Sequence, residues 1–168
     1  MLFNTNGETM SNYDRVNEVV TTTFDSQKYI GGSELGIART ILHESVHAYL
    51  VAYFGVSANA STTYSKYVDD YYDVLHGDMN AAQHNEMVRS FVAGIASELK
   101  TFGISRGYKL TDEFYNDLSW GGLTETRAFK AFNGRAAGRI LDVISIEQNG
   151  HNVYGGVSVP KGKPSGCQ

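Results

Sequence analysis

Apolar residues recur along most of this chain at helical rather than strand spacing. From Leu35 to Phe54, small or apolar side chains fall on nearly every side of a 3.6-residue projection, the pattern of a buried helix. Ser33 suits its N-cap, Glu34 stands in the first turn where the helix dipole favours an acid, and Gly55 is placed to end it. Tyr64, Tyr67, Val68, Tyr71 and Leu75 follow at three- and four-residue spacing with aspartates between them, predicting an amphipathic helix over 63–75 with a tyrosine packing face. A further helix is predicted over 81–102. Asn80 and Gln83 resemble a capping box, His84, Val88, Phe91, Ile95, Leu99 and Phe102 form one stripe, and Gly103 stands at the end.

Downstream, Thr111, Asp112 and Glu113 open a short helix through Tyr115 to Leu118, which Trp120-Gly121-Gly122 breaks. Thr124 is placed to cap a helix reaching Phe132, and Asn133 to cap another carrying Ala136, Ile140, Leu141 and Ile144. Strand signals are few. Val16 to Phe24 is dense in β-branched residues and reads as a short edge strand, while Val153 to Val159 alternates against the grain of Gly155, Gly156 and Pro160. The expected fold class is mainly α (α+β): a compact helical domain over 15–150, with one or two short peripheral strands and the segments 33–54 and 81–102 packed together. Residues 1–14 read as an irregular opening and 151–168 as a C-terminal tail.

A chain of 168 residues is long enough to bury one real core. Its net charge of -4, without a block of Lys or Arg, argues against a nucleic-acid surface. No apolar run is long enough to cross a bilayer and no signal peptide opens the chain, so the reading is soluble, without membrane contact. Compartment and oligomeric state stay open; the polar opening also fits a domain or fragment of a larger secreted or particle-associated protein. One cysteine, Cys167, allows neither an intrachain disulfide nor a Cys-ligated zinc ribbon.

The chemistry concentrates in His43-Glu44-Ser45-Val46-His47. Two histidines four apart on a helix put both imidazoles on one face, where they can share a metal ion, and the glutamate between them can reach a water activated by that metal. A carboxylate inside an apolar helix is costly unless paired or used around a metal; the bland alternative is a Glu44–Arg39 ion pair beside two core histidines.

This stretch resembles the active-site helix of the zincin metallopeptidases, and Gln83-His84-Asn85-Glu86-Met87 is similar to the third-ligand helix of some minimal zincins. The resemblance implies a zinc cofactor on His43 and His47, Glu44 as general base, and hydrolysis of a protein or peptide substrate. The third ligand is expected to be His84, with His76, Glu86 and Glu98 as alternatives; His76-Gly77 is similar to the His-Gly step of SprT-like proteases. On a projection Glu86 falls about two hundred degrees from His84, toward solvent, and Glu98 lies roughly four turns further along. Tyr108, Tyr115, His76 and His151 are candidate oxyanion stabilisers, none of them assigned. Trp120 reads as a core plug rather than a groove wall. Two other readings stand beside the peptidase: a zinc-binding structural or particle-associated module without turnover, and a SprT-like protease acting near DNA, against which the acidic charge speaks.

Overall fold

A computed structural model of the chain describes residues 6–10, 14, 16–57 and 79–166. The helix expected over 63–75, His76 and Cys167 lie outside the described residues. Strands β1 (Gly7–Thr9) and β2 (Thr22–Phe24) form a two-stranded antiparallel sheet that pairs Gly7 with Phe24 and Thr9 with Thr22. A 3-10 turn at Ser26–Tyr29 leads into helices α1 (Glu34–Ser57), α2 (Met79–Ser90), α3 (Val92–Ser105), α4 (Asp112–Ser119), α5 (Arg127–Lys130) and α6 (Gly134–Asn149). The fold is mainly helical with short strands, as the periodicity predicts, and α1 touches both α2 and α3. Leu35 of α1, Met87 of α2, Ile95 and Leu99 of α3, Tyr115 and Leu118 of α4, and Leu123 make the buried core. No described helix is long and apolar enough to cross a membrane.

Local chemistry sets several of the boundaries. Thr111 accepts from Phe114 N at 3.2 Å and caps α4, and Asn133 accepts from Ala136 N at 2.9 Å and caps α6. Each cap satisfies a backbone donor that the helix leaves unpaired, and is worth about 1 kcal/mol. Helix α6 ends on Gly150 at φ 75°, whose N–H bonds Ile146 O at 2.9 Å. Where α6 crosses α1, a Cβ on Gly36 would sit 2.3 Å from Glu147 O, so only glycine lets the two backbones approach this closely.

Elsewhere the boundaries move. The expected helix over 81–102 begins earlier, at Met79, and is divided at Phe91 (φ -123°, ψ -19°). The bonds Phe91 N to Met87 O and Ile95 N to Phe91 O, both 2.8 Å, bridge the division, so Val88, Phe91, Ile95, Leu99 and Phe102 still face the core. Gly103 lies inside α3 rather than at its end. A Cβ there would fall 2.1 Å from the Tyr115 hydroxyl, so the glycine makes room for the α4 ring, and α3 stops instead before Arg106 and Gly107 (φ 83°). Likewise α1 runs through Gly55 to Ser57, since one interior glycine costs only about 1 kcal/mol. Thr126, not Thr124, caps α5, accepting from Phe129 N at 3.3 Å, and the helix is a single turn. Trp120 packs against the core, tilted against Phe129 and edge-to-face with Phe132, as a plug.

The described residues near both ends make more contacts than their polarity suggests. The opening contains β1, which packs against α1, and of the expected strand over 16–24 only Thr22–Phe24 forms a strand, with Val19 adding an isolated antiparallel bridge to Asp14. Between the two strands the Asp14 carboxylate accepts from the Val16 and Asn17 amides. In the expected C-terminal tail, residues 153–159 form no strand beyond a His151–Val157 bridge. Residues 161–165 are tied down. The buried Glu147 carboxylate accepts from Ser33 Oγ (2.5 Å), Lys161 N (2.6 Å) and Gly162 N (3.1 Å), while Glu34 N donates to Lys163 O at 2.9 Å. The C-terminal segment thereby closes over the start of α1.

Candidate metal centre

His43 and His47 lie a turn apart on one face of α1, and His84 enters from the first half of α2. The Nε2 atom of His47 is 3.1 Å from that of His43 and 3.1 Å from that of His84. His43 and His47 are buried, and among the described residues these three histidines form the cluster whose donor atoms are close enough to hold a metal ion. Four-coordinate zinc with nitrogens at about 2.0–2.1 Å requires donor-to-donor edges of roughly 3.3 Å, close to the two edges of 3.1 Å that meet at His47.

Hydrogen bonding fixes which nitrogen of His47 is free. Its Nδ1 lies 2.7 Å from Gln83 Oε1, and an amide oxygen only accepts, so Nδ1 carries a proton and, in the neutral ring, Nε2 is the atom with the free lone pair. That lone pair points at two other Nε2 atoms. A cation at the shared point satisfies all three nitrogens at once. Burial, then the fields of His47, Arg39 and His84, push the pKa of His43 well below the ordinary histidine value. A neutral imidazole is the ligating form.

The turn Trp120–Leu123, closed by Leu123 N to Trp120 O at 2.9 Å, backs this face of α1. A Cβ on Gly122 (φ 82°) would fall 2.6 Å from His43 Cε1 and 2.9 Å from its Nε2; one on Gly121 would fall 2.4 Å from Arg39 Nε. The two glycines therefore let the backbone lie directly on Arg39 and His43. Arg39 is buried and donates to Gln148 Oε1 at 3.2 Å, and its desolvation lowers its pKa against the opposing fields of Tyr29 and Glu44. Arg39 Nε and His43 Nδ1 are buried without a hydrogen-bond partner among the described residues.

Glu44 is buried and stands outside the histidine cluster. It makes no ion pair with Arg39; its Oε2 accepts instead from the Thr9 hydroxyl of β1 at 2.7 Å. Of the alternative ligands, Glu86 does not face solvent as its projection implied. It is buried, and its carboxylate accepts from Arg89 Nε at 2.9 Å and from Ser90 Oγ at 2.6 Å. Both of these donors lie on its own helix. Glu98 is exposed on α3, at a groove it shares with Leu42, Val46 and Phe91.

The three described oxyanion candidates have other surroundings. Tyr115 lies in the core, Tyr108 donates to Glu34 Oε1 and accepts from Lys163 N, and His151 is exposed against Asn149 O. Sequence reasoning missed Thr9 and the contact made by Gly121 and Gly122, and gave Gln83 no role toward His47. Adjacency to His84 was the available signal for Gln83; Thr9, in a polar opening, offered none. Compared with protein-family models, with curated proteins and with solved structures, the chain matches none.

Proposed function

We propose that this chain is a zinc-dependent peptidase, with His43, His47 and His84 as metal ligands and Glu44 as general base toward a protein or peptide substrate. The observation that carries the reading is the convergence of three histidines from two helices, with His47 Nε2 3.1 Å from the Nε2 atoms of both His43 and His84, and a buried carboxylate between the two α1 histidines in sequence. Three protein ligands leave a fourth position open, the arrangement of a catalytic rather than a structural zinc site. Zinc, when bound, would supply a Lewis acid that lowers the pKa of water and polarises a carbonyl. Glu44 would take the proton of the attacking water and deliver it to the departing amine, while Gln83 holds His47 in the ligating tautomer.

Glu44→Gln tests this assignment. The amide keeps the shape and can still accept from Thr9, but it takes no proton near neutrality. Zinc content should stay unchanged while peptide hydrolysis falls by about a hundredfold or more. Hydrolysis persisting at the wild-type rate in the zinc-loaded variant refutes the general-base role. The close cover of β1 over Glu44 favours a second reading, a metal-organised module without turnover. That reading predicts zinc binding by both proteins and hydrolysis by neither.

A further inference from the structure

We infer that Thr9 is a positioning residue for Glu44, with Thr22 behind it. The inference rests on the peptidase reading and adds the β1–β2 hairpin to the site. Thr9 Oγ1 lies 2.7 Å from Glu44 Oε2 and 3.2 Å from the Glu44 carbonyl oxygen. A hydroxyl has one proton, and the shorter contact, to a charged acceptor, is the stronger. Thr9 Oγ1 can then still accept, and the Thr22 hydroxyl at 2.9 Å, paired across the sheet register, is placed to donate to it. The chain Thr22 O–H to Thr9 O–H to carboxylate polarises in one direction. Among the described residues Thr9 is the single hydrogen-bond donor to this carboxylate, so Oε1 is left without one.

The hairpin also fixes the stem of Glu44. A Cβ on Gly7 would sit 2.9 Å from Glu44 Cγ and 3.1 Å from Thr40 Cγ2, so the β1 backbone rests directly on that side chain. β1 is in turn anchored to the body of the protein. Asn6 Oδ1 accepts from Gln148 Nε2 at 2.8 Å, the glutamine that receives Arg39 on its other atom, and Asn6 O accepts from Asp25 N at 3.0 Å. Gly7 therefore holds the stem and Thr9 the head of a side chain that would otherwise sample several rotamers on α1.

The experiment compares zinc-loaded wild type, Thr9→Val, Thr9→Ser, Thr22→Val, Glu44→Gln and Thr9→Val/Glu44→Gln on a pool of unstructured quenched-fluorescent peptides, with zinc content measured in each. Valine keeps the shape of threonine and deletes the hydroxyl. Thr9→Val should lower kcat about ten- to a hundredfold with KM little changed and one zinc retained, the size expected when a reacting group is misplaced. Thr9→Ser should restore most of the rate, Thr22→Val should cause a smaller loss, and Thr9→Val should change nothing further once Glu44 is glutamine. Should Thr9→Val not fold, the Thr9→Ser and Thr22→Val rates carry the comparison, and a wild-type kcat in Thr22→Val then overturns the inference. So does a wild-type kcat in Thr9→Val, or an equal loss in both Glu44 backgrounds. Absence of hydrolysis in the wild-type chain removes the peptidase reading and this role with it. An active wild type with an unaffected Thr9→Val removes this role alone.

Discussion

Replacing Gln83 by leucine removes the one side chain that, among the described residues, bonds His47 Nδ1, and leaves all three histidines in place. The bond is 2.7 Å from Nδ1 to Oε1, linking a buried ring of α1 to a half-buried amide of α2. Its loss leaves the Nδ1 proton without an acceptor and frees the ring to turn or to move that proton to Nε2, the atom that faces His43 and His84. Outer partners of this kind typically contribute ten- to a hundredfold to metal affinity, or about 1.4–2.7 kcal/mol. Competition with a chromophoric chelator, at fixed pH and with folding checked by circular dichroism, reads the zinc Kd directly. Gln83→Leu should weaken binding by about ten- to a hundredfold, and Gln83→Glu, which offers a charged acceptor at the same reach, should bind at least as tightly as wild type. A Kd for Gln83→Leu within about twofold of wild type would refute the tautomer argument on which the site's geometry rests.

Two further outcomes follow from the packing and the charges. Tyr115→Phe removes a buried hydroxyl that has no partner among the described residues and should raise stability by about 1 kcal/mol, whereas Gly103→Ala should cost about 1–3 kcal/mol by driving a methyl group into that ring; urea unfolding of both variants decides. Because the folded pKa of His43 lies well below its unfolded value near 6.5, the unfolded chain binds the extra proton, and metal-free protein should lose stability as pH falls from about 6.5 toward the depressed value. Denaturation midpoints across that window should fall more steeply in wild type than in His43→Gln; equal slopes would show that burial of His43 does not contribute.

What the sequence made legible was mostly local. Helix α1 announces itself by its length and apolar character, and the Thr111 and Asn133 caps depend on a side chain bonding a backbone group three residues on. His43, His47 and His84 were readable because helical spacing fixes which residues share a face, and α1 and α2 needed only to meet. What stayed hidden depends on contacts between distant segments. Gly103 looks like a helix stop until the Tyr115 ring is placed against it, and Gly121-Gly122 looks like a turn until Arg39 and His43 lie beneath it. A projection of α2 alone sends Glu86 to solvent, since a single helix does not show what packs against its far side, and the residue is buried. Thr9 is 35 residues from Glu44 and sits in a polar stretch, so no periodicity connects the two.

The central claim is that three histidines from α1 and α2 hold one zinc ion. Zinc stoichiometry and X-ray absorption of the purified chain, measured beside His84→Ala, test it most directly. Wild type should bind one zinc with three imidazole nitrogens at about 2.0–2.1 Å, and His84→Ala should bind it far more weakly. A wild-type chain that takes up no zinc, or a His84→Ala chain that holds it as tightly as wild type, would contradict the account.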